Sequence, residues 1–414
     1  MSAPDWSQMT RVFGRIGLLS FGGPAAQIAL MHRELVETRD WLSEQSYLRA
    51  LSLCMLLPGP EAMQLATYAG WRLRGVAGGV LAGLLFVVPG AIVIAVLALL
   101  YASYGQLPAV QDAFVGIKAA VIVVVFQALR KVAGKALIGV SGAVLATLAF
   151  VALFAFAVPF PFIIIAAGMF GMWHAPAQAD LLETTPVQAH PVRTAVVWGA
   201  LWVAPLAVVW LLDASFLLAL GLFFSKLAVV TFGGAYAVLG YMTQTVVSDL
   251  GWITADQMID ALGLAETTPG PLILVTEFVA LLAGHAQSGV EGALLAGLMA
   301  LWVTFCPCFL WIFLAGPYLE RLSAQPRLAG ALQAITAAVV GVIANLTLWF
   351  ALHVWFAQVG HAGGIALPLP VWSSIDPLAL ALTALAAVLM LGLRMGFVAA
   401  MGILAVCALV AGMI

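Results

Sequence analysis

The sequence predicts an all-α polytopic membrane protein built from two inverted structural repeats with broken or re-entrant helices, about 13 membrane elements in all. Three observations carry this. Of 414 residues 64% are hydrophobic and only 8% charged, against roughly 45–50% apolar in a soluble domain. Uncharged runs recur at the roughly 20-residue length of a membrane-crossing helix. Sliding the chain by 211 residues lays Phe13–Pro60 on Phe224–Pro271 without a gap, with 14 identities in 48 positions. A net charge of −2 offers no basic surface for nucleic acid, and the short polar segments leave no room for a catalytic domain outside the bilayer.

The elements follow in chain order. Arg15 and Arg33 flank the break Gly22-Gly23-Pro24, and Arg49 and Arg72 flank Pro58-Gly59-Pro60. Basic residues on both sides of an interrupted apolar stretch predict a hairpin of two half-helices that returns to the cytoplasmic face. Full crossings are expected near 76–103, 110–129, 139–158 and 160–173. A polar loop from His174 to Thr194 and an apolar helix near 195–212 then supply the extra crossing that inverts the second half. That half repeats the breaks as Gly233-Gly234 and Pro269-Gly270-Pro271, with crossings near 289–315, 329–350, 375–393 and 395–414.

The charge bias supports inversion: residues 1–135 hold 11 of the 16 Lys and Arg, and 244–260 and 283–288, which answer the basic segments of the first half, hold none. Arg130, Lys131, Lys135, Arg321, Arg327 and Arg394 all fall on the cytoplasmic side of this arrangement. The domain reading is a first repeat over 1–173, a loop and linking helix over 174–213, and an inverted second repeat over 214–414.

A helix that begins inside a membrane presents unpaired N–H groups and the positive end of its dipole, which favours an anion. Glycine lets a ligand approach the backbone, and proline starts a half-helix where no N–H is needed. The expected substrate contacts are therefore Gly22, Gly23, Pro58, Gly59, Pro60, Gly233, Gly234, Pro269, Gly270 and Pro271, with Ser20, Thr231, Thr267 and Thr268 as hydroxyl donors. Arg15 and Lys226 occupy matching places five residues before Ser20 and Thr231, either as a cationic pair for a dianion or as interfacial snorkels. Glu61, Glu266 and Glu277 are carboxylates in apolar context, either proton-coupling groups or neutral helix caps. Asp213, Asp249, Asp256 and Asp260 read as interfacial and solvated.

No metal site is expected: the six histidines lack ligand spacing, and Cys306-Pro307-Cys308, with no His nearby, reads as packing. No cofactor is expected either, and the nucleophile and nucleotide motifs of enzymes are missing from the sequence.

The ordered set Ser20-Phe21-Gly22-Gly23-Pro24, Trp41-Leu42-Ser43, Leu57-Pro58-Gly59-Pro60-Glu61-Ala62, Tyr68-Ala69-Gly70-Trp71, Phe86-Val87-Val88-Pro89-Gly90, Thr231-Phe232-Gly233-Gly234 and Thr267-Thr268-Pro269-Gly270-Pro271 resembles the chromate transporter family in its long, two-repeat form. The likeness extends to Trp302–Phe313 and covers nearly the whole chain. It implies a multi-pass protein of the bacterial inner membrane that exports chromate and confers resistance, not an enzyme. Its partners would be chromate, sulfate as competitor or counter-substrate, protons and the lipid bilayer, with a homodimer as a candidate assembly. The rival readings are a sulfate or other oxyanion permease and an intramembrane enzyme acting on lipid headgroups. Pro24 is matched by Ala235, so the two Gly-Gly breaks are not expected to be identical, and Arg15 stands where Lys is commoner in the family.

Overall fold

The computed structural model describes residues 4–175, 190–319, 322, 325–361 and 368–413. Most of the expected loop from His174 to Thr194, together with Arg321 and the final residue of the last crossing, lies outside the described residues.

The chain is helical throughout its apolar runs. α1 (Trp6–Leu19) opens on a capping box between Asp5 and Gln8. α2 (Gly23–His32) begins at Gly22 and passes into a π-helical turn, Arg33–Glu37. α3 (Glu44–Leu56) is capped by Ser43, and α4 (Glu61–Tyr104), α5 (Pro108–Ala136), α6 (Gly139–Phe156) and α7 (Phe160–His174) complete the first half. After α8 (Pro191–Leu211) come α9 (Ser215–Val230), α10 (Ala235–Thr243) with a π-helical turn Gln244–Asp249, and α11 (Ala255–Glu266) with a Thr254–Gln257 capping box. α12 (Val275–Ala315), α13 (Pro326–Trp355), α14 (Pro377–Ala387) and α15 (Phe397–Gly412) follow. A short antiparallel pair, β1 (Val359–His361) and β2 (Pro368–Pro370), lies between α13 and α14.

The two longest helices are hairpins in themselves. Arg74 and Gly75 leave helical geometry in α4, with Gly75 at φ 63° and ψ −159°; Ser288 and Gly289 do the same in α12, with Gly289 at φ 66° and ψ −148°. These left-handed positions suit glycine alone. Beyond each bend the chain doubles back. A Cβ on Gly70 would overlap the Gly78 carbonyl and lie 2.6 Å from Ala82 Cβ; one on Gly284 would overlap the Gly292 carbonyl and lie 2.7 Å from Ala296 Cβ. Small residues let the two arms touch backbone to backbone, as helices in membranes do.

The helices group into two compact units. The first comprises Met1–Leu99, His174–Ala235 and Thr268–Ala329. Within it Trp198 of α8 stacks on Phe309 of α12 at 5.5 Å, Trp302 Nε1 donates to the Leu201 carbonyl at 2.8 Å, and Gly221 of α9 fits against Leu206 and Met299. The second comprises Leu100–Trp173, Tyr236–Thr267 and Gly330–Ile414. There Ala119, Ala120 and Val123 of α5 pack with Leu382 and Ala386 of α14 and with Ala400, Leu404 and Ala408 of α15.

Among the described residues six helical stretches are long and apolar enough to cross a membrane, and four shorter apolar helices accompany them. Large apolar side chains such as Trp173, Val140 and Trp210 stand 88%, 80% and 64% exposed. In water that would be a liability; in lipid it is the outer surface of a polytopic protein.

Candidate functional site: the four helix breaks

In the first unit the four breaks are tied together in crossed pairs. The Gly59 N–H donates to the Thr231 carbonyl at 2.8 Å, and the Gly270 N–H donates to the Ser20 carbonyl at 3.0 Å. The Pro-Gly-Pro break of one half thus holds the Gly-Gly break of the other, twice over. Each Pro-Gly-Pro turn also packs beside a proline-containing stretch of the opposite long helix. A Cβ on Gly59 (φ 121°) would come within 2.9 Å of Cys308 Sγ, next to Pro307. One on Gly270 (φ 90°) would lie 3.6 Å from Gly90 Cα, next to Pro89.

The Gly-Gly breaks are different in kind. Gly22 and Gly23 have φ of 85° and 78°, and Gly233 and Gly234 have φ of 76° and 99°. A Cβ on Gly23 or Gly234 would meet nothing within 4 Å. Glycine is required there by backbone conformation and leaves an open side. α2 starts at Gly22 with no side-chain cap, so its first-turn N–H groups have no side-chain acceptor and suit an anion.

Several side chains stand elsewhere than expected. Ser20 Oγ donates to the Ile16 carbonyl at 2.5 Å, Thr231 Oγ1 to Leu227 at 2.6 Å and Thr267 Oγ1 to Leu264 at 2.7 Å. The first two satisfy carbonyls orphaned at helix C-termini, the third shares the Leu264 carbonyl with the Thr267 N–H, and all three protons are used there rather than offered to an oxyanion. Thr268 is buried beside Pro269. Arg15, with a side chain 57% exposed, pairs with the buried Glu34 at 3.7 Å, and Arg39 also bonds Glu34. Lys226 is exposed on α9.

The three expected carboxylates divide. Glu61 opens α4, half-buried, in the first turn where a helix dipole favours an anion. Glu277, in the first turn of α12, is 3% exposed, and its Oε2 has no hydrogen-bond partner. Glu266, in the second unit, closes α11 and receives a hydrogen bond from Tyr236.

Two buried glutamines escaped the sequence reading. Gln27 Nε2 donates to the Gly270 and Ser20 carbonyls at 2.7 and 3.2 Å, stitching one crossed pair together, and Gln64 Nε2 donates to the Pro58 carbonyl at 2.7 Å. Each stands four residues after a break, as a lone polar residue in an apolar helix, and that was the available signal. Asp260 corrects another expectation. It is 4% exposed rather than solvated, because it shares a face of α11 with Gly263, which packs on Ile117 and Val121 of α5. Among the described residues no group of three or more His, Cys, Asp or Glu is placed to hold a metal.

The sequence profile of the chromate transporter family matches residues 7–172 and 218–413. A chromate transport protein of Cupriavidus metallidurans is 30% identical over 360 residues, covering 84% of this chain and 83% of that one. One from Pseudomonas aeruginosa is 34% identical over 361 residues, covering 83% and 80%. An uncharacterized transporter of Bacillus subtilis is 30% identical over 157 residues, which are 37% of this chain but 88% of that shorter one. No solved structure matches. With apolar membrane helices and the ordered motifs now joined by a match over both stretches, the chain belongs to the chromate transporter family, and is a multi-pass membrane transport protein rather than an enzyme.

Proposed function

We propose that this protein is a secondary active exporter that carries chromate from the cytoplasm across the bacterial inner membrane and so confers chromate resistance. The observation that carries the reading is the crossed bracing of the breaks: Gly59 to Thr231 and Gly270 to Ser20. Gly23 and Gly234 are open backbone for a tetrahedral dianion, flanked by Gly22 and Gly233 at positive φ, with Pro58–Pro60 and Pro269–Pro271 as the frame that holds them. Sulfate has the same shape and charge, so the same donors accept it as a competitor.

The second half is an inverted copy of the first, with repeats over 1–173 and 214–414 joined through 174–213. Three facts support this: the matching bends at Gly75 and Gly289, the paired π-helical turns after α2 and α10, and a shorter relative aligned to little more than a third of this chain. Rocking of one repeat against the other would expose the breaks to each face in turn. Moving a dianion out of a negative-inside cell gains about 4.6 kcal/mol per 100 mV, twice the value for a single charge. Voltage thus contributes to the driving force.

The test is radiolabelled chromate flux in proteoliposomes under imposed voltage, with unlabelled sulfate as competitor. Voltage-driven chromate flux that sulfate reduces is expected. Absence of chromate flux under every gradient refutes the assignment, and turnover of lipid by the same vesicles would restore the enzyme reading.

A further inference from the structure

The second unit contains a charged cluster that the anion site does not use. A cavity of about 520 Å³ is lined by Tyr101 at the end of α4, Asp112 and Lys118 of α5, and Asp256 and Asp260 of α11. Lys118 Nζ lies 2.5 Å from Asp256 Oδ1 and 4.0 Å from Asp260 Oδ1. Asp256 stands at the open side, with a side chain 67% exposed; that of Asp260 is 5% exposed. The two oxygens of Asp260 differ: Oδ2 accepts from the Tyr101 hydroxyl at 2.7 Å, while Oδ1 is buried and has no hydrogen-bond partner.

One ammonium therefore serves two carboxylates, and a third, Asp112, borders the same space. A buried carboxylate oxygen without a donor is costly while the group is charged, and a proton on that oxygen removes the charge. The cluster is not a by-product of duplication either, because the first-half position matching Asp260 is Arg49.

We propose that Asp260 is the proton-binding group of the transport cycle, loaded through this cavity and read out by Lys118. With Asp260 protonated, Lys118 pairs with Asp256, as in the structure; with Asp260 ionised, Lys118 is drawn to it across the 4.0 Å gap. The proton comes from water in the cavity and returns to water, so no other reactant takes part. α11 runs by chain continuity into Thr267–Pro271, whose Gly270 holds Ser20, so a shift of α11 reaches the anion site through the backbone. The inference rests on the chromate-export reading, with a proton moving inward as the anion moves out.

The test is chromate flux in proteoliposomes under a pH gradient with voltage clamped at zero, and separately under voltage alone. With one proton exchanged per anion, each pH unit shifts the steady-state chromate ratio about tenfold in the wild type. Asp260→Asn is expected to abolish that response and keep the voltage-driven flux. Tyr101→Phe removes a donor to the ionised form, so the pH midpoint of transport is expected to rise by about one unit. It also covers the case in which Asp260→Asn does not fold. A wild-type response retained by Asp260→Asn, an unmoved midpoint in Tyr101→Phe, or a wild type driven by voltage but indifferent to the pH gradient overturns the proposal. Infrared difference spectra of the reconstituted protein read the protonated carboxyl directly. The C=O band must titrate in the wild type and vanish in Asp260→Asn, whether or not chromate is the substrate, and a band unchanged in the variant refutes the assignment.

Discussion

Replacing Gly23 by Val tests the division between open and braced breaks. Gly23 sits at φ 78°, in the left-handed region, where a residue with a Cβ costs about 1–2 kcal/mol and a β-branched one is more strongly disfavoured. No neighbour within 4 Å opposes the new side chain, so no clash is added to this backbone cost. Against a stability of about 5–15 kcal/mol, the protein is expected to fold and reach the membrane. The side chain would, however, occupy the space beside the first-turn N–H groups of α2. A charge-assisted hydrogen bond contributes about 1.5–3 kcal/mol, so the loss of one lowers anion affinity roughly 10- to 100-fold. The assay pairs size-exclusion profiles and membrane levels with chromate flux, and Gly234→Val should behave alike. Gly90→Val is the contrast, because a Cβ there overlaps the Pro269 carbonyl and should reduce folded protein. Flux at the wild-type level in Gly23→Val would refute the reasoning, as would a folding defect as deep as that of Gly90→Val.

Three further outcomes are expected. Gln27→Leu removes the donor shared by the Ser20 and Gly270 carbonyls and should cost about 1–3 kcal/mol, read as a lowered Tm; an unchanged Tm would mean that the stitch contributes nothing. His32, outside the spanning helices, meets Glu44 at 2.6 Å and Glu37 at 3.0 Å, and the bond to Glu44 holds its pKa above 6.5. A raised folded pKa means that its stabilisation is present in full below pH 6.5 and fades as pH rises through the folded value. The Tm gap between wild type and His32→Gln should therefore be wider at pH 6 than at pH 8.5, and equal gaps would remove the charged pairing. Finally, Arg72→Cys and Ala286→Cys should label from opposite faces of the membrane, since labelling of both from one face contradicts inversion.

Much of the fold is readable in the residues because its causes are local. Hydropathy marks the spanning runs, and Gly-Gly and Pro-Gly-Pro mark positions where a helix cannot continue. The capping positions Ser43 and Thr254 are legible for the same reason. The direction of a hydroxyl is not: Ser20 and Thr231 lie beside breaks and look like ligand donors, yet each bonds back to its own helix. Nor is the burial of Asp260, because a solvated and a buried aspartate look alike in sequence until the neighbouring helix is known.

The sequence by itself determined that this chain lives in a membrane and where its helices break, since each of these follows from hydropathy or single-residue backbone preference. Only the tertiary structure decided which breaks stay open. Gly23 and Gly59 share a positive φ, but one faces empty space and the other meets Cys308 and the Thr231 carbonyl. That distinction is made by partners far away in the chain, brought together by packing between helices, and packing is a property of the folded assembly rather than of any local run of residues.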